Sequence, residues 1–558
     1  MKGFTPKDLV GLILNPLEKV VEKLERKLGL FSVVIISLAS MLGSGLFVLP
    51  ALAMAEMGGG ASNPLGGIWL AFLLAGIVIL PAAISKSELA TAMPSSGGAY
   101  IYIERAFGPQ VGTILGLGLW ATTMFKSAFA LIGFKAYLWV VNDMLGININ
   151  LEMAALFLLV LIVIINILGV KKVKKVQTPI VFVSVIFLFI VSLKALITME
   201  MNWDAAFSRN AFGSGLTSVA ETSAFVFVAY AGVTKIAAIG GEIKDPERNI
   251  PNGILLSLII GCVLYVFFSI IMVAAVSPSE YITDGIPRED PIYVFVNAVA
   301  GETFGQISAF LGITMLTAMA IAGIMAASRF PFAMARDNLL PEAIENVHPK
   351  YDTPHLAIIG TGIAMGICIS FLPVKDIAKL ASGFKIMIFI VMNCCVIVLR
   401  KSSKSHSWYN PSWKSPLFPL TQILGIIFSI WLLTLMGSKA FIGAFVAIII
   451  GLIIFRAYGK KNVDIEITPW ETFKLMFTNP DEAEKRRFYA AFHAADSNRN
   501  GHLNLQEFIA AMESLELGSD ANHWTLRRYF HEADKDKDGV LFVDEFLDSI
   551  QEIIIEEE

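Results

Sequence analysis

Ser40-Met41-Leu42-Gly43-Ser44-Gly45-Leu46-Phe47-Val48-Leu49-Pro50 lies in the middle of the first long apolar block of this chain. Two glycines flanking a serine weaken a helix, and a break there frees backbone N–H and C=O groups at a depth where lipid cannot satisfy them. Such a break is tolerated where it lines a polar cavity, so the stretch reads as a binding site at mid-membrane. Half-helix ends suit a small zwitterion, whose carboxylate meets N–H groups and a positive dipole end while free carbonyls take its ammonium.

The composition around this stretch belongs to a membrane protein. Of 558 residues, 55% are hydrophobic and only 16% charged. Apolar blocks fall near 30–56, 66–91, 110–142, 151–170, 176–198, 216–242, 251–277, 304–336, 355–373, 378–399, 417–436 and 439–457. Each is long enough to cross the roughly 30 Å hydrocarbon layer, which predicts an all-α body of about 12 transmembrane helices. Cys262, Cys368, Cys394 and Cys395 all lie inside the blocks, as small apolar fillers rather than disulfide or metal ligands. A net charge of -4 argues against nucleic acid as a partner, and residues 1–28 lack the short apolar core of a cleaved signal.

Lysine and arginine collect before the first block and after the fourth, sixth, tenth and twelfth, in alternate loops. The positive-inside rule then puts both termini in the cytoplasm, for a protein of a plasma or inner membrane. Residues 5–28 pair apolar residues with lysines at helical spacing, a pattern that fits an interfacial helix and a solvated one equally.

The sixth block repeats the anomaly of the first. Phe225-Val226-Phe227-Val228-Ala229-Tyr230-Ala231-Gly232-Val233-Thr234-Lys235 places a glycine, a threonine and a lysine at lipid depth, so a second break is expected at Gly232. The two anomalies lie five helices apart in chain order, the interval of an inverted repeat with its broken helices face to face. The competing reading is that Gly43, Gly45 and Gly232 merely let helices approach closely.

Several ordered motifs resemble the amino acid-polyamine-organocation transporters. They are Gly43-Ser44-Gly45-Leu46-Phe47, Ser87-Glu88-Leu89, Met93-Pro94-Ser95-Ser96-Gly97-Gly98-Ala99-Tyr100, Ala106-Phe107-Gly108-Pro109, Gly241-Glu242-Ile243-Lys244-Asp245-Pro246-Glu247-Arg248-Asn249-Ile250-Pro251 and Ser328-Arg329, with His348-Pro349 beyond. The resemblance spans roughly 30–457 and implies a five-plus-five inverted repeat, the leucine-transporter-like fold, with two extra helices. It further implies that Ser44 and Gly45 offer N–H groups to a substrate carboxylate, and that the carbonyls of Met41, Val228 and Ala231 take its ammonium. A neutral amino acid is the default cargo and an acidic one the runner-up.

The chain departs from that family where coupling is concerned. Many members carry a fifth-helix lysine in a sodium-like position, and here Ser184 stands there. Lysines sit elsewhere instead: Lys86, Lys126 and Lys235. A buried ammonium is costly unless it faces a cavity or a counter-charge, so Lys126 and Lys235 are candidates for proton coupling or for repelling cationic substrates. Lys86 and Lys235 can instead snorkel to the interface. Sodium remains an alternative coupling ion, with Thr314 and Thr317 as oxygen donors, although such threonines commonly bond their own helix.

After the twelfth block the chain turns polar. Residues 458–480 read as a linker and 481–558 as a soluble helical module. Asp496, Asn498, Asn500, His502 and Glu507 in one loop, and Asp534, Asp536, Asp538, Val540 and Glu545 in the next, occupy EF-hand ligand positions, His502 and Val540 through their carbonyls. Gly501 and Gly539 supply the sharp turns. Four carboxylates in the second loop against two in the first predict tighter calcium binding at the second. A cytoplasmic pair of this kind would sense calcium and dock its own N-terminal segment or the linker around Trp470–Phe477. His348, His355 and His406 have no spaced partners, which argues against an enzyme. A membrane sensor that binds an amino acid without moving it, and a permease with a constitutively loaded structural EF-hand domain, are the other readings. Neither that sensor nor a calcium-gated channel has a sequence feature in its favour.

Overall fold

The computed structural model describes residues 26, 28–94, 98–169, 173–351, 353–403, 406, 409–463, 468–496, 500–515, 523–535 and 537–557. The expected interfacial segment 5–28 lies almost wholly outside them. Nine helices among the described residues are long and apolar enough to cross a membrane, and the shorter apolar helices Leu151–Ile167, His355–Phe371 and Leu420–Leu435 complete the twelve expected spans.

Burial within the protein grades from centre to rim. The most apolar windows of the first and sixth spans are each 78% buried, whereas that of the twelfth, Ser438–Asn462, is 22% buried. Ile197, Phe371 and Phe445 are exposed, with many other large apolar residues. So many exposed large apolar residues on helices of spanning length need lipid to cover them, so this is an integral membrane protein.

The first span breaks, but not at its glycines. Leu30–Phe47 is α-helical straight through Gly43-Ser44-Gly45, and the interruption comes at Val48, with a second half-helix over Leu49–Met57. Proline decides this. Pro50 has no N–H to give and its ring would collide with the carbonyl four residues back, a conflict removed when it falls in the first turn of a new helix. The glycines serve close packing: a Cβ at Gly43 would run into Met319, and one at Gly45 into Tyr265 and Ala229. In the sixth span the expected irregularity is a change of helix type. Leu216–Val226 is α, Phe227–Thr234 is a 3-10 helix, and Lys235–Ala238 is α again.

Chain contacts divide the molecule into two units, one holding residues through 104, 109–394 and 412–464, the other 105–108, 395–411 and 465–558. In the second unit the linker contains a helix, Pro469–Thr478, opened by a Thr468–Glu471 capping box. Trp470 in it packs against Phe473 and Phe107. Helices Pro480–Ala495, Leu505–Ser514, His523–Ala533 and Val543–Glu557 close on a core of Phe488, Phe492, Phe508, Phe530, Phe546 and Ile550.

Candidate functional site

The two irregular spans meet through their backbones. Gly232 sits so near the Ser37 carbonyl and the Met41 N–H that a methyl group there would strike both. Tyr265 of the seventh span, Pro246–Ala275, donates its hydroxyl to the Met41 carbonyl at 2.5 Å and to the Ala229 carbonyl at 3.3 Å, joining the pair. Ser382 of the tenth span, Val374–Lys401, accepts the Val228 N–H at 3.0 Å and donates to the Phe225 carbonyl at 2.7 Å. Tyr137 of the third span, Pro109–Leu145, caps the Phe47 carbonyl at 2.7 Å beside the break. Polar side chains from neighbouring spans thus answer the backbone groups that lipid cannot.

Met41 and Gly45 thus lie where the first span meets the sixth at Ala229 and Gly232, Val228 is tied to the tenth span, and Ser44 shares the turn of Gly45. Its N–H points at the sulfur of Met319, 3.3 Å away in the eighth span Glu302–Arg336, and its hydroxyl is buried without a partner. Ala231 is half-buried in the 3-10 segment. Gly232→Ala is expected to cost about 1–3 kcal/mol, because the obstructing atoms include backbone and cannot swing aside; a drop in the melting temperature of the purified protein checks it.

The lysines gather rather than scatter. Lys126, 6% exposed, donates from Nζ to the Ser40 carbonyl at 2.7 Å. Lys235 and Lys385 are near enough to Lys126 to repel it electrostatically, and Lys86 feels Lys385 in turn. Lys86 is 4% exposed, so it does not snorkel; Lys235 is half-buried. Glu88 accepts the Ser415 N–H at 2.8 Å. Ser184 is buried with its hydroxyl unpartnered. Thr314 is exposed and returns its hydroxyl to the Phe310 and Leu311 carbonyls, and Thr317 lies half-buried one turn on. The hydroxyl of Thr314 is thus spent on its own helix, as the bland expectation for such threonines holds. Lys385, Tyr265, Ser382 and Met319 were not singled out from sequence; only Lys385, a charge inside an apolar block, carried a visible signal.

In the second unit His502–Leu503 pairs antiparallel with Leu541–Phe542, with Leu503 opposite Leu541 as paired EF-hand loops require. Asp496 accepts the N–H groups of Asn500 and Gly501 at 3.1 and 2.9 Å, and Asp534 those of Asp538 and Gly539 at 3.1 and 3.0 Å. Gly501 and Gly539 both turn at φ +84°, which glycine adopts freely. Glu507 and Glu545 fold back to accept the N–H groups of Asn504 and Phe542. Carboxylates and carbonyls directed into a tight turn are what a hard cation takes, so the residues present fit calcium. Asn498 and Asp536 lie outside the described residues, and among those described no three acidic, histidine or cysteine side chains stand as one metal-ligand group.

Comparison with known proteins agrees with this division. The amino acid permease family matches residues 32–466 and the EF-hand domain pair matches 485–551. The branched-chain amino acid permease BcaP of Bacillus subtilis is 28% identical, the alignment covering 79% of this chain and 94% of that protein. The methylthioribose transporter of the same species is 26% identical, covering 79% and 95%. The vacuolar cationic amino acid transporter 4 of Arabidopsis thaliana is 26% identical, covering 68% and 64%. With two irregular spans meeting backbone to backbone and a family match across most of its length, the chain belongs to the amino acid permease family and carries a C-terminal EF-hand pair.

Proposed function

We propose that the chain is a secondary active transporter that moves a neutral amino acid by alternating access, at a rate set by calcium on its EF-hand pair. The observation that carries this reading is the face-to-face meeting of the first and sixth spans, whose Met41 and Ala229 carbonyls share one tyrosine hydroxyl. A zwitterion that replaced the Met319 sulfur at the Ser44 N–H, and the Tyr265 hydroxyl at those carbonyls, would find a donor at one end and acceptors at the other. Closure on the far side of the break is consistent with the cycle: Glu56, at the end of the second half-helix, pairs with Lys375 at 2.6 Å and Lys379 at 2.7 Å on the tenth span.

Lys126 is the coupling residue in this reading, a proton carrier where many relatives use a fifth-span lysine. Both termini lie in the cytoplasm, so the EF-hands meet cytoplasmic calcium, held by Asp496, Asn498, Asn500, His502 and Glu507 and by Asp534, Asp536, Asp538, Val540 and Glu545. Bound calcium would supply the charge that draws these ligands together and opens the helix pair. A thermal-shift screen of the purified protein against the common amino acids, with and without calcium, tests the assignment. Stabilisation by a small, chemically related set of neutral amino acids is expected; a melting temperature unmoved by every amino acid would contradict it.

A further inference from the structure

Trp470, Lys474 and Phe477 share one side of the linker helix Pro469–Thr478, spaced i, i+4 and i+7. Trp470 is 41% exposed and Phe477 76%, with Lys474 exposed between them. The opposite side is committed to protein, since Pro469 and Thr472 are buried. Two aromatic rings and a lysine on the outer side of an amphipathic helix are the composition of a membrane-surface segment: the rings sink to the acyl-chain ends, and the lysine stem lifts its ammonium to the phosphates.

Two tethers independently hold this face at the membrane surface. Trp470 packs on Phe107 with ring centroids 5.6 Å apart, and a Cβ at Gly108 would come within 2.9 Å of the Thr468 methyl. The next residue, Pro109, opens the third span. The linker helix therefore starts beside the end of a membrane helix. On its other flank the twelfth span finishes at Asn462 with Arg456, Lys460 and Lys461 exposed, a basic cluster of the kind that sits among phospholipid headgroups. From Asn462 to Pro469 the chain can reach about 25 Å at most.

We propose that the face of Trp470, Lys474 and Phe477 lies in the lipid interface of the leaflet on the EF-hand side, its rings among the acyl-chain ends and Lys474 at the phosphates. The occupant is lipid rather than the EF-hand pair, because the apolar residues of that pair already close on one another around Phe492, Phe508 and Phe546. The linker is thereby an anchor that holds the calcium-binding module to the membrane, whether or not the protein transports.

Spin-label accessibility tests this on the full chain in nanodiscs of mixed neutral and anionic phospholipid. With the four native cysteines replaced by alanine, Phe477→Cys is labelled with a nitroxide. Phe445→Cys, on the outer side of the twelfth span, is the lipid-exposed reference, and Glu532→Cys, exposed on the helix His523–Ala533, is the water-exposed one. Oxygen concentrates in lipid and a nickel chelate in water. In calcium or in chelator, the label at 477 is expected to give an oxygen-to-nickel ratio several-fold above that at 532 and close to that at 445. A ratio equal to that at 532 in both conditions overturns the proposal by leaving the face in water. Low access to both reagents in both conditions overturns it by placing the face against protein. Photo-crosslinking decides should the alanine background not fold: with benzoylphenylalanine in place of Phe477 and the native cysteines kept, irradiation is expected to add the mass of a phospholipid, and crosslinks to the chain alone overturn the proposal.

Discussion

Lys126→Met is expected to abolish most uptake, on the order of 100-fold, while leaving the protein folded and no less stable than wild type. The two halves of that statement have different physical origins. Holding an ammonium among apolar helices costs several kcal/mol, and the charge-assisted bond to the Ser40 carbonyl returns about 1.5–3 kcal/mol. Removing the charge therefore relieves at least as much as it forfeits. The Ser40 carbonyl keeps its place in the helix, and the methionine fills the volume of the lysine stem. A residue kept at such a cost is kept for transport, where it holds the first span in one of its positions. Radiolabelled uptake in proteoliposomes and a melting curve on the same preparation check both halves. A variant that melts much lower and transports normally would reverse the assignment.

Calcium supplies the second large effect. Glu545→Gln is expected to remove the tighter of two calcium-binding phases and Glu507→Gln the weaker, because each replaces the loop's bidentate ligand with a neutral amide. The affinity of the altered loop should fall about 100-fold or more, readable by calorimetric titration of the full chain. Coupling to transport follows from the same variants. With calcium on the EF-hand side of proteoliposomes clamped low and then high, wild-type uptake should change several-fold and the double variant should not respond. Equal uptake at both concentrations in wild type would leave the module without influence on the permease. Its stability should still depend on the ion, since the aromatic core around Phe508 and Phe546 is fastened by the two loops and their short ribbon.

What could be read from the residues alone follows from how local the determinants are. Twelve spans were legible because a membrane helix announces itself in about twenty consecutive residues, and EF-hand ligands because all of them fall within one short loop. The break in the first span was misplaced for a local reason too: Gly43 and Gly45 drew the reading, yet a helix tolerates glycine in a packed interior and does not tolerate Pro50 beyond its first turn. The groups that complete the site arrive from afar. Tyr265 reaches Met41 across 224 residues and Ser382 reaches Val228 across 154, contacts that no periodicity encodes. Lys385 is visible in the sequence as a charge within an apolar block, but the hydrophobicity of that block dominates its pattern.

Counterflow tests the central claim most directly. Proteoliposomes containing the purified protein are loaded with a high concentration of an unlabelled amino acid, neutral and branched-chain first, and diluted into a trace of the same compound in labelled form. Transient accumulation of label above equilibrium, abolished by Gly232→Ala or Lys126→Met, is the result expected of a carrier whose site alternates between the two faces. Label that never overshoots for any amino acid, in vesicles where the protein is folded and binds one, would contradict transport and leave a receptor in its place.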